Sequence, residues 1–199
     1  MWIYEKRLQY PVNITKTDAR IAKIIASQYG GPDGEIGASM RYLSQRFTAP
    51  NRVCMAVLTD VATEELGHLE MVSTIVHQLT ANLTVEEIEN QGFADYYVDH
   101  AVGTWPQSAG GIPFNSCEFQ SKGDPITDLT EDMAAEQKAR TTYDNILRLV
   151  DNEEVKKVIR FLRAREIVHY QRFAEGLEYL KTKLDPDNVY ICNPSFDAH

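Results

Sequence analysis

The sequence predicts an all-α fold, a four-helix bundle with one long crossover between its second and third helices. Three observations carry this expectation. Apolar side chains recur at alternating spacings of three and four along residues 58–79, 129–150 and 155–180, the signature of a helix with one buried face. The tetrapeptide Glu-x-x-His occurs twice, at Glu65/His68 and Glu166/His169, and each copy follows another glutamate, Glu35 or Glu136, by 30 residues. Between these halves, residues 92–123 are rich in Gly, Tyr and Pro and hold no sustained period.

In chain order, residues 1–16 contain Trp2, Tyr4, Tyr10 and Pro11 without helical spacing and read as an extended arm. Thr17 or Asp18 can cap a helix running to Tyr29. Gly30-Gly31-Pro32-Asp33-Gly34 interrupts it, with Asp33 as the expected cap of a second piece carrying Glu35, Ala38, Tyr42 and Arg46. Pro50 is expected to open the next helix, which continues to about Thr80. Thr84-Val85-Glu86-Glu87 is a capping-box pattern for a short helix over 85–91. Residues 92–123 follow as the crossover, Asp124-Pro125 begins the third main helix, Asp151-Asn152 turns the chain, and the fourth helix runs from about Glu153 to Lys181. Residues 182–199 read as a non-helical tail, so the whole of 1–199 forms a single domain.

Composition narrows the classes. A net charge of −9 and a pI near 5.0 argue against nucleic acid or an anionic membrane as partner. Cys54, Cys117 and Cys192 are too few and too scattered for a disulfide framework or a Cys-x-x-Cys metal site, and read as apolar fillers. The N-terminus reaches charge at Glu5 without an apolar signal region, which predicts cytoplasmic synthesis without a signal peptide and no membrane span.

The chemistry lies on the seams. On Leu58, Val61, Glu65, His68, Val72, Ile75, Leu79 and on Val155, Ile159, Leu162, Glu166, His169, Phe173, Gly176, Leu180, a carboxylate and an imidazole interrupt an apolar stripe. Glu136 sits likewise among Leu129, Asp132, Ala139, Tyr143, Ile146 and Val150. A cluster of buried carboxylates costs several kcal/mol per group unless protons or cations neutralise it. Two Glu-x-x-His helices plus a Glu from each of two others form the ligand set of ferritin-like di-iron and di-manganese bundles. Tyr42 and Tyr143, each seven residues after the leading acid of its half, face the seam as orienters of the ligand carboxylates or as core aromatics bonded to backbone. Asp132, one turn before Glu136, is placed to accept the free N–H of a ligating histidine. Glu64 and Arg165 precede the two motif glutamates off the seam and read as solvated or interface charges; His77, His100 and His199 lack acids at ligand spacing.

These residues resemble the manganese catalase family, most closely its short spore-coat branch of CotJC-type proteins. The segments that carry the resemblance are Trp2-Ile3-Tyr4-Glu5-Lys6, Gln28-Tyr29-Gly30-Gly31-Pro32-Asp33-Gly34-Glu35, Asp60-Val61-Ala62-Thr63-Glu64-Glu65-Leu66-Gly67-His68-Leu69-Glu70-Met71, Gly123-Asp124-Pro125 and Arg165-Glu166-Ile167-Val168-His169. The resemblance implies two manganese ions per chain held by Glu35, Glu65, His68, Glu136 and His169, with Glu65 bridging, and Glu166 just outside them handling protons. Ala135 stands before Glu136 where some members carry an arginine that narrows access. The implied activity is disproportionation of hydrogen peroxide, in a homo-oligomer assembled into the spore coat beside other coat proteins. The crossover and both termini hold Trp2, Phe93, Tyr96, Tyr97, Trp105 and Phe114 outside the bundle seams, and this aromatic patch is expected to form contacts between subunits. Ligand type does not separate manganese from iron. Two other readings share the bundle: a ferroxidase or peroxidase, for which the Cys-x-x-Cys pairs of rubrerythrin are missing, and a structural coat protein whose dimetal site holds the fold together.

Overall fold

The computed structural model describes residues 4–5, 7–98 and 103–184. Trp2, His100, Cys192, His199 and most of the expected tail lie outside the described residues. Eight α-helices and one 3-10 turn account for the ordered secondary structure within them, with an isolated bridge between Gln107 and Pro113. The first bundle helix is broken into α1 (Ala19–Ile25), α2 (Ser27–Gly30) and α3 (Glu35–Gln45). The second is α4 (Arg52–Thr80); α5 (Val85–Asn90) and α6 (Ala94–Val98) lead into the crossover; α7 (Pro125–Leu149) and α8 (Glu153–Lys181) complete the bundle. This is the ferritin-like arrangement of two helix pairs joined by one long connection.

Local chemistry sets most boundaries. The Asp18 carboxylate accepts from Ile21 N–H to start α1, and the capping box at Thr84 and Glu87 forms in full. Pro125 occupies the first turn of α7, where its missing N–H leaves nothing unpaired, and the Asn152 side chain caps α8. Two expected starts move. Gly34 rather than Asp33 precedes α3, and Asp33 pairs instead with Lys138 at 3.3 Å. Asn51 rather than Pro50 starts α4, because its side chain accepts from the N–H groups of Val53 and Cys54, which proline cannot do.

Every seam position named on the three long helices is buried. Two apolar clusters result, and the polar seam residues lie between them. One contains Ile21, Ile25, Val72, Ile75, Leu79, Ile146 and Ile159; the other contains Cys54, Leu58, Val61, Leu129, Phe173 and Leu180. Along α4, Val61 stands on one side of Glu65 and His68 and Val72 on the other, so the charged layer is enclosed above and below by hydrocarbon.

The arm and crossover pack on this same chain. Val12 is buried, its carbonyl accepts from Gln78 Nε2 at 3.0 Å, and Thr15 bonds Glu154 of α8. Phe93 and Tyr96, expected to lie at subunit contacts, are fully buried in the core with stacked rings 4.2 Å apart; Trp105 and Ile112 remain exposed. Cys54 is buried as expected, whereas Cys117 is exposed. The far end of the crossover is tied down twice. The buried Arg41 guanidinium donates to the carbonyls of Phe119 and Glu118 at 2.6 and 3.0 Å, and the Asp128 carboxylate accepts from the N–H groups of Lys122 and Gly123 at 2.7 and 2.9 Å.

The near end rests on Gly30, whose N–H donates to the Gln107 carbonyl; a Cβ there would lie 2.2 Å from Gln107 N, closer than atoms can approach. Gly30→Ala is therefore expected to displace the crossover and destabilise the protein by about 1–3 kcal/mol, the usual cost of overpacking a tight contact. Thermal melting checks this, and an unchanged melting temperature would contradict the packing described.

Candidate metal centre

Glu35 (α3), Glu65 and His68 (α4), Glu136 (α7), and Glu166 and His169 (α8) converge at the centre of the bundle, none more than 2% exposed. Glu65 is the hub. Its Oε2 lies 2.7 Å from His68 Nδ1 and its Oε1 lies 2.7 Å from His169 Nδ1. Around His68 Nδ1 stand Glu35 Oε2 and Glu166 Oε1, each at 3.9 Å; around His169 Nδ1 stands Glu136 Oε2 at 3.5 Å. The imidazole rings stack with centroids 5.3 Å apart. Two half-sites thus share one carboxylate.

The tyrosines join the halves crosswise. Tyr42, from the first half, donates to Glu136 of the second, while Tyr143, from the second, donates to Glu35 of the first. The Asp132 expectation is corrected: its Oδ1 accepts from Gln45 Nε2 at 2.9 Å, and the carboxylate facing the outer histidine nitrogens is Glu64. Glu64, expected in solvent or at an interface, is half-buried at the contact between α4 and α8, where Arg165 donates from Nε to Oε1 at 2.6 Å and from Nη2 to Oε2 at 3.2 Å. Its Oε1 lies 3.5 Å from His68 Nε2 and its Oε2 lies 3.2 Å from His169 Nε2. The signal available in sequence was the opposite charge of residues 64 and 165 at equivalent places in the two repeats. Gln45, Arg41 and Gln9, which donates to Glu64 at 2.7 Å, left no such signal.

The electrostatics follow from four acids in an apolar layer. Burial, then the charge of Glu65, pushes Glu35 and Glu166 well above the ordinary carboxylate range and raises Glu136. Burial works the same way on Glu65, but the two histidines outweigh it and hold Glu65 low. Burial disfavours charge on the histidines; Glu65 overrides this and raises both, His169 most.

These residues fit a pair of cations. Glu65 Oε1, Glu136 Oε2, Glu166 Oε1 and both nitrogens of His169 are buried without a hydrogen-bond partner, an arrangement that hydrocarbon surroundings penalise severely. Glu65, His68, Glu166 and His169 present ligand atoms within 4.8 Å of one another. Two divalent ions would balance the four carboxylates.

Comparison with known proteins decides the family. The profile of the family described as manganese containing catalase matches residues 1–190. This chain belongs to the manganese catalase family. It is 46% identical over 190 residues to Protein CotJC of Bacillus subtilis, covering 96% of this chain and all of that one. A probable manganese catalase of Clostridium acetobutylicum is 29% identical over 185 residues, covering 92% and 82% of the two chains. The crystal structure of KatB, a manganese catalase from Anabaena, superimposes with a TM-score of 0.83 at 31% identity, covering 94% of this chain and 84% of that one. Membership implies manganese as the resident metal.

The shifts set a pH dependence for protein stripped of metal. Glu35, Glu136 and Glu166 hold protons in the folded state at pH values where the unfolded chain has released them, so their contribution is lost as pH rises above the ordinary 4.5. The histidines add stability that is fully present below 6.5 and is lost as pH rises through their folded values. Glu65 opposes only in acid, where its lowered value costs stability as pH falls. The melting temperature of metal-free protein should therefore decrease from about pH 5 to about pH 8, and manganese should remove that decline. A metal-free melting temperature that rises over this interval would contradict the assignment.

Proposed function

We propose that the protein is a di-manganese catalase, converting two hydrogen peroxide molecules to two waters and one dioxygen. One observation carries the reading: a single buried carboxylate, Glu65, faces both histidines at 2.7 Å in a chain of the manganese catalase family. Glu35, Glu65 and His68 would hold one ion and Glu136, Glu65 and His169 the other. A bound manganese pair supplies the two-electron change by which one peroxide is reduced and the next oxidised.

The chain's own residues do the rest. Glu166 is 2% exposed and its Oε1 has no partner, so it is free to accept a proton from incoming peroxide and return it to the leaving oxygen. Burial and three neighbouring carboxylates raise its proton affinity, and positive charge held by the other five residues would lower it again. Tyr42 and Tyr143 each occupy one oxygen of Glu136 and Glu35, which orients the other oxygen inward. The apolar layers on either side exclude bulky substrates and leave a small diffusible molecule as the one that suits so closed a site. Homo-oligomerisation through the crossover is supported by exposed Trp105 and Ile112, 53% and 69% accessible. Assembly into the spore coat rests on likeness to CotJC-type proteins.

Manganese-loaded protein should contain two ions per chain and, given hydrogen peroxide without a reductant, release one dioxygen per two peroxides. His68→Ala and His169→Ala should each lower metal content. Glu166→Gln should keep its metal and lose on the order of a hundredfold in rate, as expected for a lost general base. A peroxidase would stall without an electron donor, and a structural coat protein would not outpace free manganese. Oxygen electrode and metal analysis together decide among the three.

A further inference from the structure

Glu64 belongs to neither half-site, yet it stands against both. Each histidine turns Nδ1 inward to Glu65 and leaves Nε2 facing outward, where neither ring has an aligned hydrogen-bond partner. The two oxygens of Glu64 are divided between them, Oε1 3.5 Å from His68 Nε2 and Oε2 3.2 Å from His169 Nε2. Glu64 is itself held by the forked contact from Arg165 on α8 and by Gln9 Nε2 from the N-terminal arm. A forked guanidinium pins both oxygens of a carboxylate in one plane, which a lysine cannot do. Glu64 and Arg165 occupy equivalent positions, each immediately before the glutamate of its Glu-x-x-His copy. The internal repeat has therefore diverged to opposite charges at the one level where α4 and α8 bring these positions together.

We infer that Glu64 is a positioning residue shared by both histidines: it accepts a hydrogen bond from the Nε2–H of each ring, so that each ring keeps its proton on Nε2 and presents a free Nδ1 lone pair inward. The inference rests on the dimetal reading above. A neutral imidazole carries one N–H, and the partner of that N–H decides which nitrogen is left for metal. A ligating histidine ordinarily has such an acceptor behind it, and losing one costs about 10–100-fold in metal affinity. Here two rings share one carboxylate, with one oxygen for each. A glutamine at position 64 offers one acceptor and one N–H₂, so it can serve one ring and must set N–H against N–H at the other.

The test loads wild type, Glu64→Gln, Glu64→Ala and Arg165→Ala with manganese alone and follows ions retained per chain against increasing chelator. Pulsed electron paramagnetic resonance reports the coupling of histidine nitrogen to the metal. Glu64→Gln should split the two ions, holding one nearly as wild type and losing the other about 10–100-fold more readily, with one of two nitrogen couplings changed. Glu64→Ala should weaken both. Arg165→Ala removes the same ion pair but leaves the carboxylate, so it should hold both ions better than Glu64→Ala at a similar loss of melting temperature. If Glu64→Gln and Glu64→Ala retain both ions like wild type, or if all three variants lose both ions in parallel with melting temperature, Glu64 is an ordinary interhelical ion pair and the inference is overturned. Wild type that holds two ions but evolves no dioxygen overturns the catalase reading and leaves this inference standing; wild type that holds fewer than two overturns both.

Discussion

Four carboxylates buried in one layer of a helical bundle are the constraint to which the rest of this molecule answers. Glu35, Glu65, Glu136 and Glu166 repel one another in surroundings that screen poorly, and each would ordinarily be expelled to water. Nothing but positive charge at their centre removes the conflict, whether protons on Glu35 and Glu166, charge on the histidines, or a pair of metal ions. The apolar clusters on either side provide the stability that lets the layer persist, and they deny water the access that would relax it.

The pseudo-two-fold repeat explains how a single chain builds a shared site. Each half contributes a leading glutamate, a Glu-x-x-His and a tyrosine, but the halves are not independent, because each tyrosine donates to the other half's acid. Gln45 to Asp132 adds a further link between α3 and α7. Such cross-links make the distance between half-sites depend on the packing of all four helices. The crossover contributes in the same way: Arg41 and Asp128 fasten its far end beside α3 and α7, while Gly30 admits its near end against α2.

The repeat departs from exact symmetry at two places in the site. Glu65 and Glu166 are equivalent in the repeat, yet Glu65 reaches both histidines while Glu166 stands 3.9 Å from one. One copy thereby faces both rings, and the other keeps an oxygen without a hydrogen-bond partner. The preceding residues diverge likewise, Glu64 and Arg165 forming a pair on the outer side of the histidines. A strictly duplicated sequence would place like charges against each other at positions 64 and 165 as well as in the buried layer.

Helical periodicity alone determined which residues of the three long helices turn inward, Glu65, His68, Glu136, Glu166 and His169 among them, because a spacing of three and four defines one face of a helix wherever that helix is placed. Capping chemistry was equally local, as at Asp18, Thr84 and Pro125. What the sequence could not specify was which helix stands opposite a given face, and at what height. Glu64 lies about 100° around α4 from Glu65, a position for which the sequence leaves solvent and interface equally open until α8 is set beside it. Phe93 and Tyr96 read as an exposed aromatic patch until the crossover folds them under the bundle. Asp132 points inward as its spacing demands, but Gln45 rather than a histidine occupies the space in front of it. Direction about a helix axis is written in the local sequence; the identity of the partner is decided only by how separate helices pack, and that is where the tertiary structure assigned the histidines to Glu64 and each tyrosine to the opposite half.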